Sequence, residues 1–293
     1  PGYVASAAFV GREAELELLG ALLSDVAAGE PRAFYVEAES GGGKSRLLQE
    51  LAIRAKLEGA AVLTTSCERA EGGPFATVGA LVEEAFAVAP EEATRASATD
   101  AALLGRLFPA IRERHAKVKL DGDVGEPAED RMRLQAAVQG FFRRLAQEKL
   151  LVALVDDVQR CDEASAAALA GLARSGAVGL LLGLARRLGE PVRAPGAVAS
   201  LAELEPRLRL AGLDPDGIAA LLRSLFGDAQ HLSRLARRMH RATGGSPLFC
   251  TELARQLIET ERVRYRDGSW IVPEDISLKG RSRGLRDAMR ARV

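Results

Sequence analysis

The feature that most constrains the fold is a glycine-rich segment between an apolar run and an amphipathic stretch. The run RAFYVE, residues 32–37, has the composition of a buried strand, and a helical pattern over residues 45–58 follows AESGGGKS, residues 38–45. Glycines allow successive amides to point inward, and the N-terminal end of the helix adds the positive end of its dipole. A strand, a loop and a helix in this order are what a polyphosphate-binding loop requires, and we predict such a loop here.

Two side chains of this loop have predicted roles. Lys44 can bridge terminal phosphates, and the Ser45 hydroxyl can ligate Mg²⁺. Ala38 stands where such loops usually begin with glycine, and alanine is accepted there because the position closes the strand rather than touching phosphate. The alternative is a glycine-rich turn with a solvated lysine, which the flanking strand and helix disfavour.

A second apolar run ends in acids. The run LLVALVDD, residues 150–157, places Asp156 and Asp157 at the carboxyl edge of the predicted sheet, where α/β proteins bind ligands. Asp156 is the candidate for holding Mg²⁺ through water, and Asp157 for orienting or deprotonating the attacking water. Acids after a strand are also common turn formers, but the phosphate loop favours the functional interpretation. Asp162 is predicted to cap the next helix instead.

Apolar runs and helical patterns alternate through the first two thirds of the chain, as in βαβ units. Strands are predicted at residues 32–37, 60–65, 150–155, 177–184 and near 207–210, and helices at 13–26, 45–58, 78–87, 131–146 and 162–173. Near-continuous apolar strands are typical of a parallel sheet covered on both faces. The predicted fold class is therefore α/β, a parallel sheet of the phosphate-loop type with flanking helices.

The pattern becomes mainly helical near residue 213. We predict a nucleotide-binding α/β domain at residues 1–212 with a helical insertion at 90–130, a helical lid at 213–260, and a partial winged-helix-like region at 261–293. Helices are expected at residues 214–226, 232–242 and 247–260, and hairpin strands at 263–265 and 270–272.

Composition excludes several functional classes. The chain is 47% hydrophobic and 27% charged, and its 40 basic and 40 acidic residues leave no net charge. This argues against a nucleic-acid or membrane-surface binder. The basic pattern after residue 279 is interpreted as a solvated helix face, with DNA binding as the alternative. No apolar run approaches the roughly 18 residues of a membrane span, and three scattered cysteines fit a reducing compartment. We expect a cytoplasmic location and no membrane partner.

Four segments together resemble the signal-transduction ATPases with numerous domains, a group of AAA-related switch ATPases. They are FVGREAEL at residues 9–16, AESGGGKSRLLQEL at 38–51, LLVALVDDVQRCDEAS at 150–165 and TGGSPLFCTEL at 243–253. Bacterial regulators of the maltose-activator type, or those linked to kinases or cyclases, fit best. The resemblance implies a switch that binds ATP or ADP with Mg²⁺, hydrolyses ATP slowly and self-associates.

The resemblance also assigns residues to the nucleotide. On the adenine side it places Val10, Gly11 and Arg12. Along the phosphates it places Ser40, Gly41, Gly42, Gly43, Lys44, Ser45 and Arg46. Gly245 and Pro247 are the lid residues that close on the nucleotide. Lys44, Asp157 and a sensor arginine would form the catalytic group.

The sensor arginine is assigned through LLLGLARR, residues 180–187, which resembles the fourth strand of the family. Arg186 is the assigned residue and Arg187 the alternative, and the sequence does not separate them. The family usually has a polar residue where Leu184 stands, so the sensor motif is weakened. Gln159 is interpreted as an exposed polar turn residue, with placement of water as the alternative.

Two other functions fit part of these features. A non-hydrolysing, nucleotide-bound scaffold would signal through protein contacts, and the weakened sensor motif supports it. A small-molecule kinase shares the phosphate loop, but the Gly-x-Pro segment at residues 245–247 and the long helical region disfavour this function. The chain begins without Met, and we expect it to be a piece of a longer protein whose sensor and effector domains lie outside it.

Overall fold

The structure, a computed structural model, describes residues 8–68, 73–120, 127–266 and 268–276. The basic pattern after residue 279, and with it the end of the predicted winged-helix-like region, lies outside the described residues. So does residue 267, in the turn of the predicted hairpin.

Helices and strands alternate in the order that the sequence predicts. The helices are α1 (Glu13–Ala27), α2 (Lys44–Leu57), α3 (Ala76–Val88), α4 (Pro90–Ser97), α5 (Ala101–Leu104), α6 (Pro109–Arg114), α7 (Pro127–Glu148), α8 (Glu163–Arg174), α9 (Pro195–Leu201), α10 (Pro215–Phe226), α11 (Leu232–Thr243) and α12 (Pro247–Glu259). The strands are β1 (Arg32–Ala38), β2 (Ala61–Ser66), β3 (Leu151–Asp156), β4 (Leu180–Arg187), β5 (Arg207–Arg209), β6 (Arg264–Arg266) and β7 (Ser269–Ile271).

Five strands form a parallel sheet in the order β2-β3-β4-β1-β5. Ala61 of β2 is in register with Leu151 of β3, and Leu151 with Leu180 of β4. On the other side of the sheet, Tyr35 of β1 is in register with Arg207 of β5. The predicted fold class, a parallel α/β sheet with flanking helices and a helical C-terminal region, is confirmed.

The pattern of contacts divides the chain into two units. Unit 1 comprises Pro1–Ala14, Ala38–Arg46 and Leu210–Val293, and unit 2 comprises Glu15–Glu37 and Leu47–Arg209. Unit 2 contains the sheet, and its core packs apolar strand residues against the helices. Phe34, Leu63, Phe141 and Phe142 are among its fully buried side chains. Burial of both sheet faces explains why the strands read as continuous apolar runs.

Strand β4 begins later than the sequence predicts. The prediction was residues 177–184, and the strand spans Leu180–Arg187. Gly179 has a φ of +81°, and a Cβ there would lie 2.3 Å from the carbonyl oxygen of Ala146. This close approach requires glycine and a turn, so the apolar residues before it lie outside the strand.

The N-terminus of α8 is held by Asp162, as predicted. Its Oδ1 accepts hydrogen bonds from the amide of Ser165, at 2.8 Å, and from the amide of Phe75, at 2.9 Å. Oδ2 accepts from the amide of Thr77 at 3.4 Å. One buried carboxylate therefore caps α8 and ties it to the start of α3.

Unit 1 contains α10, α11 and α12 around a second core. Buried members of this core include Ile218, Leu222, Leu235, Met239 and Leu253. The predicted helices are confirmed, and the strands β6 and β7 pair antiparallel as the predicted hairpin. In the part of the chain that the structure describes, no helix combines the length and the apolar character needed to cross a membrane.

Asp162→Ala is expected to lower the free energy of unfolding by about 2–4 kcal/mol, because buried amides lose their acceptor. The matched control is Asp214→Ala at the exposed N-cap of α10, where the side chain accepts from the amide of Gly217. Its expected loss is about 1 kcal/mol. Urea denaturation followed by circular dichroism measures both values. Equal losses would show that the contacts of Asp162 with α3 contribute nothing.

Candidate functional site

The glycine-rich loop joins β1 to α2, as predicted. Within it the amide of Gly42 donates to the carbonyl of Glu39 at 3.1 Å, which closes a tight turn. Gly43 has a φ of +96°, a conformation that L side chains rarely adopt. The backbone of this loop therefore depends on glycine at the position before Lys44.

Lys44 is buried in the loop. The residue is only 5% exposed, and its Nζ donates to the carbonyls of Ala38 at 3.1 Å and Glu39 at 3.3 Å. The alternative of a solvated lysine does not fit this geometry. Lys44 also opens α2, whose first turn carries no acidic residue. A buried ammonium and the positive end of a helix dipole lie together here.

The remaining amides of the loop fit a polyphosphate. Among the described residues, the amides of Gly41 and Gly43 make no main-chain hydrogen bond. Ser45 and Arg46 follow in the first turn of α2 and are exposed. Amides, an ammonium group and a helix N-terminus form the donor set that anions bind, so the residues present fit the phosphates of a nucleotide.

The segment Val10–Gly11–Arg12 is also placed in unit 1, against the loop. The guanidinium of Arg12 donates to the carbonyl of Ala211 and, at 3.4 Å, to the carbonyl of Gly42. A Cβ on Gly11 would lie 2.8 Å from Cδ2 of Leu213, so the backbone packs closely there. Val10 is partly buried against the core of unit 1.

Gly245 packs against the backbone of the same segment. The amide of Leu213 donates to the carbonyl of Gly245 at 2.8 Å, and a Cβ on Gly245 would lie 2.3 Å from the carbonyl oxygen of Leu213. Gly245 also has a φ of +81°. Both the space and the conformation require glycine at this position.

The residues after Gly245 contact the glycine-rich loop directly. The Ser246 hydroxyl donates to the carbonyl of Gly41 at 3.2 Å, and the amide of Leu248 lies 3.4 Å from the same oxygen. Cγ of Pro247 would lie 3.8 Å from a Cβ on Gly43. The start of α12 is thereby bonded to a loop 205 positions away in sequence.

Unit 1 therefore brings together all three segments that were assigned to the nucleotide. The carbonyl of Gly42 accepts a hydrogen bond from Arg12, and the carbonyl of Gly41 accepts one from Ser246. Leu213 packs against Gly11 and donates its amide to the carbonyl of Gly245. The roles of these residues toward a nucleotide stay predictions. Their mutual contacts are properties of the structure.

The acids of β3 belong to unit 2. Asp156 ends the strand, and its Oδ1 accepts from the amide of Asp157 at 2.8 Å. Its carboxylate and the hydroxyl of Ser45 are oxygen ligands of the kind that Mg²⁺ prefers, so the chemistry of these residues fits the predicted metal. Asp157 is buried and has a φ of +55°, uncommon for a residue other than glycine.

Asp157 is held by two partners. Arg187 forms an ion pair with it at 3.3 Å, and Nε2 of Gln159 donates to its Oδ1 at 3.0 Å. Gln159 is fully buried, so its interpretation as an exposed turn residue is wrong. Its Oε1 also accepts from the amide of Arg187 at 2.9 Å, and Nε2 contacts Glu190 at 3.1 Å. Gln159 thus fixes both members of the pair.

The sequence analysis missed Glu190, which completes this network. Its carboxylate pairs with Arg187 at 2.8 Å and with Arg160 at 3.3 Å. Burial disfavours the charge of Arg187, but the carboxylates of Asp157 and Glu190 outweigh it and raise the pKa of this arginine. The only available signal was the three-residue spacing of Arg187 and Glu190, which is common on protein surfaces.

Arg186, the assigned sensor, contacts a different acid. Its Nη1 lies 3.5 Å from Oε1 of Glu37, the penultimate residue of β1. Arg187, the alternative, is the arginine that contacts Asp157. The structure thus shows that the two candidate arginines contact different acids, which the sequence does not reveal.

The two consecutive glycines after α11, Gly244 and Gly245, offer a matched test of the backbone geometry. Gly245→Ala should lower the free energy of unfolding by more than about 3 kcal/mol, because the methyl group meets the backbone of Leu213. Gly244→Ala should cost only about 1–2 kcal/mol, because Gly244 has a similar φ of +65° but no atom near its Cβ position. Urea denaturation compares the two variants, and similar losses would contradict the packing described.

The comparisons agree with this architecture. A family model described as "AAA ATPase domain" matches residues 8–184, and another described as a domain of unknown function matches residues 216–270. A search of curated proteins found no match.

Among solved structures, Cdc6p from Pyrobaculum aerophilum is similar with a TM-score of 0.52 and 14% identity, over 89% of this chain and 66% of that one. AMPPCP-bound DnaA from Aquifex aeolicus has a TM-score of 0.49 and 14% identity, over 98% and 70% of the two chains. The Orc1 protein of Aeropyrum pernix, in complex with DNA, has 0.48 and 17%, over 99% and 68%. The chain thus spans just under two thirds of Cdc6p.

The family match covers more than half of the chain and includes the glycine-rich loop, the buried Lys44 and the acids that end β3. At these identities the similarity to Cdc6p concerns the fold alone, and it agrees with that match. The chain belongs to the AAA ATPase domain family of nucleotide-binding P-loop proteins.

Proposed function

We propose that the chain is a signal-transduction switch module that binds ATP or ADP and hydrolyses ATP slowly with Mg²⁺. Its nucleotide state would control its conformation and its self-association. The observation that carries the proposal is the bonding of the glycine-rich loop to the two other assigned segments, through Arg12 on Gly42 and Ser246 on Gly41.

Each residue has a role in this proposal. Lys44 and the amides of Gly41 and Gly43 bind the phosphates, while Val10, Gly11 and Arg12 lie on the adenine side. Gly245 and Pro247 close on the nucleotide. Ser45 and Asp156 would hold Mg²⁺, which neutralises phosphate charge when bound.

The contacts of the loop suggest how binding is transmitted. Ser246 and Leu248, at the start of α12, bond to the carbonyl of Gly41. A ligand that shifts this carbonyl therefore acts on α12 without an intermediary. ATP and ADP must differ in affinity for the two conformations, because equal affinity shifts nothing.

The surroundings of Asp157 favour slow hydrolysis. The carboxylate of Asp157 is already engaged by the guanidinium of Arg187 and by the side-chain amide of Gln159. Asp157 must leave Arg187 to accept a proton from water. Arg186 remains the proposed sensor, and Arg187 the alternative.

The same ion pair favours one other function. If Asp157 never leaves Arg187, the chain is a non-hydrolysing, nucleotide-bound scaffold. A small-molecule kinase is less well supported, since the segment at Gly245 packs on the loop itself. We further propose a cytoplasmic location, with sensor and effector domains outside this chain. Zero net charge is our reason for expecting no nucleic-acid partner for this segment.

Lys44→Ala tests nucleotide binding. The loss of a charge-assisted contact of about 1.5–3 kcal/mol should lower the affinity for ADP roughly 10- to 150-fold in calorimetric titration. The control is Lys56→Ala, which removes an exposed lysine from the last turn of the same helix and should leave the affinity unchanged. An unchanged affinity of the Lys44 variant would exclude this residue from the site.

Asp157→Asn tests hydrolysis. We expect phosphate release to fall by about 10²- to 10⁴-fold, the range of general-base contributions, while ADP affinity stays within a few-fold of wild type. Glu163→Gln, at an exposed acid in the first turn of α8, is the control. If wild type and Asp157→Asn release phosphate equally slowly, the scaffold replaces the switch as the better-supported function.

A further inference from the structure

A cluster of polar side chains lies at the carboxyl end of the sheet in unit 2. Tyr35 and Glu37 alternate onto the same face of β1, and Arg207 of β5 is in register with Tyr35. Arg186 comes from β4, the neighbour of β1 on its other side. Three adjacent strands thus contribute charged groups to one cluster, in which the buried Glu37 contacts both arginines.

Glu37 divides its carboxylate unequally. Oε2 accepts from Nε and Nη2 of Arg207 at 2.9 and 2.6 Å, a forked contact at hydrogen-bond distance. Oε1 faces Nη1 of Arg186 at 3.5 Å, an ion pair without a hydrogen bond. The contact with Arg207 is the stronger one, because charge-assisted hydrogen bonds weaken with distance.

The contact with Arg186 leaves polar atoms unsatisfied. Among the described residues, Oε1 of Glu37, Nε of Arg186 and the hydroxyl of Tyr35 are buried without a hydrogen-bond partner. Burial raises the pKa of Tyr35 to about 12; the charge of Arg186 opposes this rise and that of Glu37 adds to it, so the phenol stays neutral. Buried polar atoms without partners are costly, so this arrangement holds Arg186 weakly.

Only one of the two charged partners can leave. The side chain of Glu37 is 4% exposed, whereas that of Arg186 is 26% exposed. If Arg186 turns away, Arg207 still neutralises Glu37. Departure of Arg186 therefore leaves no uncompensated buried charge, and its cost is small.

We propose that Glu37 is a positioning residue that holds Arg186 at the end of β4 in competition with the terminal phosphate of ATP. The inference rests on the proposed function, in which Arg186 senses that phosphate. ADP lacks the competing group, so Glu37 lowers the affinity for ATP relative to ADP. Arg207 moderates the competition, because it occupies the other oxygen of the same carboxylate.

The test is calorimetric titration of the whole chain with Mg²⁺ and either ADP or a non-hydrolysable ATP analogue. The measured quantity is the ratio of the two affinities. Glu37→Gln should raise the preference for the triphosphate about fivefold, the size of a partly exposed ion pair. Arg207→Met should lower it by about threefold, because Glu37 then holds Arg186 more tightly. Arg186→Met should abolish the effect of Glu37→Gln in the double variant.

Opposite changes in the first two variants distinguish this role from a structural one. A merely structural cluster would lose thermal stability in both variants while the affinity ratio stays constant, and that result overturns the inference. If Glu37→Gln does not fold, the exposed Arg207 variant carries the same test. Wild type that binds neither nucleotide refutes the proposed function itself, whereas wild type that binds both with an unaltered ratio in the variants refutes only the role of Glu37.

Discussion

The arrangement of segments in unit 1 depends on the hydrogen bonds that the carbonyl groups of the glycine-rich loop accept. A loop built to present amides to an anion must direct its carbonyls elsewhere, and buried carbonyls need donors. Here Lys44 donates to the carbonyls of Ala38 and Glu39, Arg12 donates to that of Gly42, and the start of α12 donates to that of Gly41. Lys44 belongs to the loop itself, but Arg12 and the start of α12 come from other parts of the chain, so their hydrogen bonds also fix the position of those segments around the loop.

In unit 2, the corresponding constraint is the pairing of charged side chains at the end of β4. Two consecutive arginines end β4, and each is paired with a different buried acid, Arg186 with Glu37 and Arg187 with Asp157. Pairing satisfies charges that could not otherwise be buried. It also engages Asp157 and Arg186, the residues that we propose for catalysis and for sensing the phosphate. The same ion pairs thus stabilise the carboxyl end of the sheet and restrain the residues of the proposed catalysis.

Much of the fold could be predicted because its signals are local. Apolar runs locate the strands within a few residues, and Asp162 and Asp214 mark helix starts since a cap acts on amides three residues away. The strand after Gly179 was misplaced, because its start depends on contact with Ala146, far away in sequence. Gln159 was misjudged for the same reason, as no local pattern reveals that its amide bonds Glu190.

By itself, the sequence determined the order of strands and helices along the chain, the phosphate loop with Lys44, and the two acids at the end of β3. Residue spacing and periodicity specify such features because they arise within one or two turns of the chain. Only the tertiary structure decided the partners: which segment covers the loop, which acid faces Arg186 and which faces Arg187. Those choices depend on how residues up to 205 positions apart are packed, and buried charges and carbonyls must find partners wherever the fold places them.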